Sequence, residues 1–142
     1  MRVKDMVPQE FYDAYGADAP SVVPEFFGDT ILVNGMAWPN LTVAAGTYEF
    51  RLLNGSDSRF YVLTLDDPNV KVTLVGTDGG LLPYAVTIMD GDGIQEQNEF
   101  LVLAPGDRVE LVFDFSNIAA PYKVHLQNVG PAYSPFQGLK EY

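Results

Sequence analysis

From Asp29 onward the chain is broken every few residues by turn-forming clusters, a spacing that leaves room for strands and not for long helices. The breakers are Asn34-Gly35, Ala45-Gly46, Asn54-Gly55, Asp78-Gly79-Gly80, Asp90-Gly91-Asp92-Gly93 and Pro105-Gly106-Asp107. Between them lie runs rich in Val, Ile, Leu, Thr, Tyr and Phe, which predict strands at 30–33, 41–43, 48–54, 60–65, 71–75, 85–89, 99–103, 108–113 and 122–127. Successive side chains of a strand point to opposite faces. Tyr48, Phe50 and Leu52 therefore share one face, with Arg51 on the other, solvated or paired with a carboxylate. Val109, Leu111 and Phe113 share a face in the same way. Many short strands of this kind, each burying one side, predict an all-β sandwich or barrel. Asn34-Gly35 suits a tight hairpin, where positive φ is needed.

The first 25 residues read differently. Pro8 to Gly16 has the form of a short helix, with Pro near its start and Gly just past its end. Pro20 and Pro24 then favour extended chain, so 1–25 is expected to be an arm or linker ahead of a domain at 26–142. The chain has 142 residues, enough for one domain that buries about two-thirds of its unfolded surface without a metal or disulfide. No stretch approaches the roughly 20 apolar residues of a membrane span. Met1 to Met6 has basic residues but no apolar core behind them, so no signal peptide is expected. A soluble domain of unspecified compartment follows.

Charge and residue inventory exclude several functions. The net charge is −11 and the eight basic residues are scattered, which argues against a nucleic-acid partner, because a phosphate backbone requires a basic stripe. With no cysteine there is no disulfide, no thiolate nucleophile and no Cys-ligated metal. The one histidine, His125, has no second His or Cys near it, and reads as a structural residue on a strand. Asp90-Gly91-Asp92-Gly93 resembles a calcium loop, but in the EF-hand register Ile88 falls where the first carboxylate belongs. It reads as an acidic hairpin turn, with Glu96 and Glu99 nearby leaving a weak cation site open. Asp66 and Asp67 occupy adjacent turn positions, unlike paired catalytic carboxylates on facing elements. Ser21, Ser56 and Ser58 lack a nucleophile-elbow setting. Asn40 and Asn54 each head a three-residue glycosylation pattern, which chance readily supplies. No catalytic, cofactor-binding or metal-binding residue is assigned.

Several stretches carry a family resemblance. Phe27-Gly28-Asp29-Thr30-Ile31-Leu32-Val33-Asn34-Gly35, then Trp38-Pro39 and Leu41-Thr42-Val43, resembles the opening of the second cupredoxin domain of three-domain multicopper oxidases, in the spore-coat laccase and bilirubin-oxidase branch. Tyr48 to Ser56 is similar to that domain's next strand and turn. Gly76 to Leu82, Leu103 to Arg108 and Val112 to Phe115 are similar to its later strands. The blocks occur in family order over about 26–128.

The resemblance implies a cupredoxin-like Greek-key β-sandwich. It also implies a division of labour: copper sits in the flanking domains, held by His-X-His pairs and a His-Cys-His run that this chain lacks. The expected function is that of a copper-free structural domain in a laccase-like enzyme, which oxidises phenolic or metal substrates while reducing O₂. The isolated chain is expected to be inactive, to hold no cofactor and to have flanking cupredoxin domains as partners. The loop 128–138 is expected to border the parent's substrate pocket. The family's domain ends in one more apolar strand after that loop, and none is visible here. A missing strand would leave a sheet edge open to self-association. Two other readings stay open. One is a non-catalytic carbohydrate-binding or adhesion module, which an exposed Tyr/Trp row would favour. The other is a calcium-stabilised β domain.

Overall fold

A computed structural model describes residues 25–118 and 122–130. The strands are β1 (Leu32–Val33), β2 (Met36–Ala37), β3 (Thr47–Leu53), β4 (Tyr61–Leu65), β5 (Lys71–Thr77), β6 (Gly80–Met89), β7 (Leu101–Leu103), β8 (Arg108–Asp114) and β9 (Leu126–Asn128). They form a hairpin of β1 and β2, a four-stranded sheet in the order β3-β8-β5-β6 and a three-stranded sheet in the order β7-β4-β9. Every strand pairing among the described residues is antiparallel. The chain crosses repeatedly between the two larger sheets: β3 lies in one, β4 in the other, β5 and β6 back in the first. No helix occurs among the described residues, and none is long and apolar enough to cross a membrane. The expected all-β sandwich is the observed architecture. The arm at 1–24 and its short helix lie outside the described residues.

The core sits between the two sheets. Leu65 and Leu103 come from the three-stranded side, and Val72, Met89, Val109, Leu111 and Phe113 from the four-stranded side. Val70, between β4 and β5, has no exposed surface. Burying each such side chain contributes about 1.5–3 kcal/mol. The alternation read from sequence holds: Tyr48, Phe50 and Leu52 are half-buried on β3, and Val109, Leu111 and Phe113 are buried on β8. Phe50 and Phe113 meet edge to face at 5.2 Å.

The turns explain the rest of the topology. Asn34 and Gly35 have φ of 50° and 80°, the left-handed pair of a two-residue hairpin joining β1 to β2. Asp78-Gly79 likewise closes β5 onto β6, with Thr77 opposite Gly80.

Several strand expectations need correction. Residues 41–43 pair with nothing among the described residues, although their composition suits a strand. Met36–Ala37 does pair, too briefly for its composition to show it. β6 begins at Gly80, not 85, because the Asp78-Gly79 turn brings it straight back along β5. Among the described residues after 118, strand pairing covers Leu126–Asn128 only, so His125 stands one residue before a strand. The Asp90–Gly93 stretch is no hairpin turn: β6 and β7 lie in different sheets, so it opens a crossover.

Candidate functional site

The polar clusters singled out in the sequence prove to be built into the scaffold. His125 meets Asp66 across 59 residues of chain. Asp66 follows β4, and His125 precedes its neighbour β9. The Asp66 carboxylate accepts the His125 backbone N–H at 2.7 Å through Oδ1, and Oδ2 lies 2.5 Å from the ring Nδ1. The Asp66 backbone N–H donates back to the His125 carbonyl. Burial works to raise the Asp66 pKa, but the backbone N–H, ring and charge of His125 outweigh it and hold the carboxyl below its ordinary value. Asp67 is buried and turns inward to accept the backbone and side-chain N–H of Asn69, each at 2.9 Å. The charge of Asp67, then burial, raises the Tyr122 phenol. These adjacent carboxylates serve two different anchoring contacts, as a turn position suggests.

The acidic loop is likewise occupied by its own backbone. Glu99 is buried; its Oε1 accepts the Asp90 N–H, and its Oε2 accepts the Glu96 N–H and an amide N–H of Gln95. Asp90 Oδ1 accepts the Asp92 N–H, and Asp92 Oδ1 accepts the Ile94 N–H. Among the described residues no group of three or more metal-ligating side chains converges.

Asn54 is the polar centre that sequence reasoning missed. It is 2% exposed. Its Nδ2 donates to the carbonyls of Arg59 at 2.7 Å and Leu103 at 2.9 Å, and its Oδ1 accepts the backbone N–H and hydroxyl of Ser56. Its backbone N–H donates to the Asp107 carbonyl, and its own carbonyl accepts from Gly106. Asn54 thus ties the end of β3 to the end of β7 in the opposite sheet. The amide nitrogen that a glycan would need already makes two hydrogen bonds. Asn40, at the other sequon, is exposed. The single Ser56 hydroxyl hydrogen is shared between Asn54 Oδ1 and the Arg59 carbonyl, and Ser58 Oγ donates to Asp57, so both hydroxyls are engaged in turns. The sequence signal for this joint was two separate breakers, Asn54-Gly55 and Pro105-Gly106-Asp107, with nothing to say they meet.

A shallow depression lies at one end of the four-stranded sheet, lined by Arg51, Leu53, Asp78, Gly80, Arg108 and Glu110 among others. Its charges face one another. Arg51 pairs with Glu49 and Glu110 at 3.2 Å each, and Arg108 Nε lies 2.5 Å from Asp78. The carboxylate partner expected for Arg51 is present. The remaining distinctive surface is apolar: Leu32, Val33, Met36, Trp38, Leu41 and Val43 are all exposed. No charged residue occurs from Thr30 to Tyr48. Tyr84, on β6, is 84% exposed, far along the chain from Trp38.

The architecture is that of a cupredoxin-like sandwich with a polar scaffold and an uncharged flank. No protein-family profile matches the chain. It is 43% identical to the laccase of Bacillus subtilis (strain 168) over 97 residues, 68% of this chain and 17% of the laccase. It is 41% identical over 93 residues to the cell division protein FtsP of Xenorhabdus nematophila, 66% of this chain and 17% of that protein. The crystal structure of a laccase from Pediococcus acidilactici superposes with a TM-score of 0.63 at 33% identity, covering 75% of this chain and 21% of that one. The chain is a cupredoxin domain of the multicopper-oxidase family. It spans about a sixth of the length of the curated relatives it matches.

Proposed function

We propose that this chain serves as a copper-free structural domain within a longer, laccase-like multicopper oxidase. One observation carries the reading: a packed core joins the two sheets while the chain's one histidine is engaged with Asp66. Copper ligation of the family kind needs clustered His and Cys, and the chain has one His and no Cys. In the parent, one-electron oxidation of phenolic or metal substrates and reduction of O₂ belong to flanking copper-bearing domains. This domain holds them in register. The domain boundaries, with an arm at 1–25 and the sandwich from 26, and the central position in the parent are part of this reading. So is a border of the substrate pocket along 128–138, of which 131–138 lie outside the described residues.

The test is direct. The purified chain, supplied with Cu(II), is assayed with a laccase dye and by electron paramagnetic resonance. The expected result is no turnover and no stoichiometric bound copper. Dye oxidation with retained copper overturns the proposal.

The relative named as a cell division protein favours a second reading, a non-catalytic binding module. Under it, the uncharged flank around Trp38 meets another protein, and no oxidase surrounds the domain. Copper content and dye oxidation of the full-length parent separate the two readings.

A further inference from the structure

β9 is a weakly seated strand. It has three residues and, among the described residues, pairs only with β4, in the register Leu63 to Asn128, Thr64 to Gln127 and Leu65 to Leu126. Leu126 remains exposed, so apolar burial contributes little within the strand; Val124, just before it, packs against the core. Polar contacts hold the two ends. At one end Asn128 Oδ1 accepts the N–H groups of Val62 and Gly130, and the Val129 N–H donates to the Val62 carbonyl at 2.8 Å. At the other end stands Asp66, gripping both the backbone and the ring of His125.

We infer that β9 is a detachable edge strand, latched onto β4 by the Asp66–His125 contact, and that pH sets how firmly the latch holds. The two ends differ in kind. The Asn128 end has no titratable partner in its contacts and is indifferent to pH. The Asp66 end has one backbone bond, from the Asp66 N–H to the His125 carbonyl, and beside it one carboxylate serving two donors, both of whose contacts are strongest when it is ionised. Hydrogen bonds to an ionised acceptor are about twice as strong as neutral ones. Protonating Asp66 therefore weakens the backbone contact and the ring contact together. The other titratable groups beside the pair are Asp67 and Tyr122, whose phenol is raised chiefly by the Asp67 charge and also feels Asp66. Since His125 lowers the Asp66 pKa, the latch is fully present above the ordinary carboxylate value of about 4 and is lost as pH falls through the lowered folded value.

Release has a defined consequence. Without β9, the backbone of β4 from Leu63 to Leu65 becomes an open sheet edge, and the core residue Leu65 loses cover. The latch thus decides which strand, β9 or β4, forms that edge of the three-stranded sheet among the described residues.

Amide hydrogen exchange on the 142-residue chain tests the inference, with β8 as internal reference. After correction for intrinsic rates, protection of 125–129 relative to 108–114 is expected to fall severalfold between about pH 6 and about pH 2. In Asp66→Asn the relative protection is expected to be low at both values. A ratio that stays constant in the parent chain, or an unchanged fall in Asp66→Asn, overturns the inference. If Asp66→Asn does not fold, the parent chain still decides. His125 is the only histidine, so its ring resonances can be followed alone. They are expected to move in the acid range, where Asp66 titrates; resonances that stay constant across that range overturn the latch.

Discussion

Glu110 on β8 lies directly across Gly76 on β5, and its carboxylate occupies the space that a side chain at position 76 would fill. A Cβ built on Gly76 would stand 2.8 Å from Glu110 Oε2 and 3.2 Å from Glu110 Cβ. Across the sheet, Arg51, Glu110, Gly76 and Leu81 stand in one register row. The missing side chain lets Glu110 lie flat while Arg51 pairs with it at 3.2 Å.

Gly76→Ala should therefore destabilise the fold by about 1 kcal/mol or more through crowding. The effect should shrink when Glu110 is also changed to Ala, because the clashing carboxylate is then gone. Urea unfolding midpoints of the two single variants and the double variant provide the measurement. Equal costs in both Glu110 backgrounds would show that crowding is not the cause.

Asn54→Ala should cost more, about 2 kcal/mol, because it leaves the Leu103 carbonyl without its side-chain donor and the Arg59 carbonyl with the Ser56 hydroxyl alone. Asn54→Asp should be as harmful, since a carboxylate cannot donate to either carbonyl. Thermal unfolding of the two variants checks this. A melting temperature within a degree or so of the parent chain would remove Asn54 from the role of inter-sheet tie.

Which features were legible depended on how local their cause is. The faces of β3 and β8 follow from alternation within seven residues, and both stand as read. The Asn34-Gly35 hairpin is likewise a two-residue decision. By contrast, β6 starts at Gly80, and its pairing with β5 carries register shifts around 72–73 and 74–76. The 74–76 shift recurs in the pairing of β5 with β8, so it is a bulge on β5 itself, and a bulge leaves no period in the sequence. The run 41–43 has a strand's composition but lacks a partner among the described residues, and composition cannot report a partner's absence. Asn54 and Leu103 are 49 residues apart, and Asp66 and His125 are 59 apart. Each residue read alone was ordinary; the polar clusters exist only after the sheets have formed.

The acid limb of stability should be shared among three anchored carboxylates. Ser116, through its hydroxyl and backbone N–H, holds Asp114 below its ordinary pKa. Arg108 does the same for Asp78, and His125 for Asp66 against the upward push of burial. A carboxyl with a depressed folded pKa contributes stability that is present above its unfolded value of about 3.9 and lost as pH falls through the folded value. Unfolding free energy should thus be flat near neutrality and decline below about pH 4. Asp114→Asn should flatten part of that decline without changing the fold. The measurement is urea unfolding at a series of pH values, and an identical decline in the variant would contradict the assignment.

Trp38 reports on the uncharged flank. It is the only tryptophan, it is 70% exposed, and it follows β2 with a positive φ of 49°. Around it Leu32, Met36 and Leu41 are also exposed, in a stretch without charge on a chain of net charge −11. An exposed apolar stretch of this kind marks a contact surface more often than a solvated one. In the dilute isolated chain its emission should be water-like and readily quenched by acrylamide. In the full-length parent, the same site should be shielded if other domains cover the flank. Exchange protection at 36–43 reads this without interference from other tryptophans. At high concentration the isolated chain should also self-associate through this flank or an open sheet edge, more strongly as salt screens the acidic repulsion. Leu41→Glu should suppress association through the flank while leaving the melting temperature within about a degree, since Leu41 is exposed. A blue-shifted, unquenched Trp38 in a chain that sediments as a monomer would mean that the flank folds onto its own domain and is no contact surface.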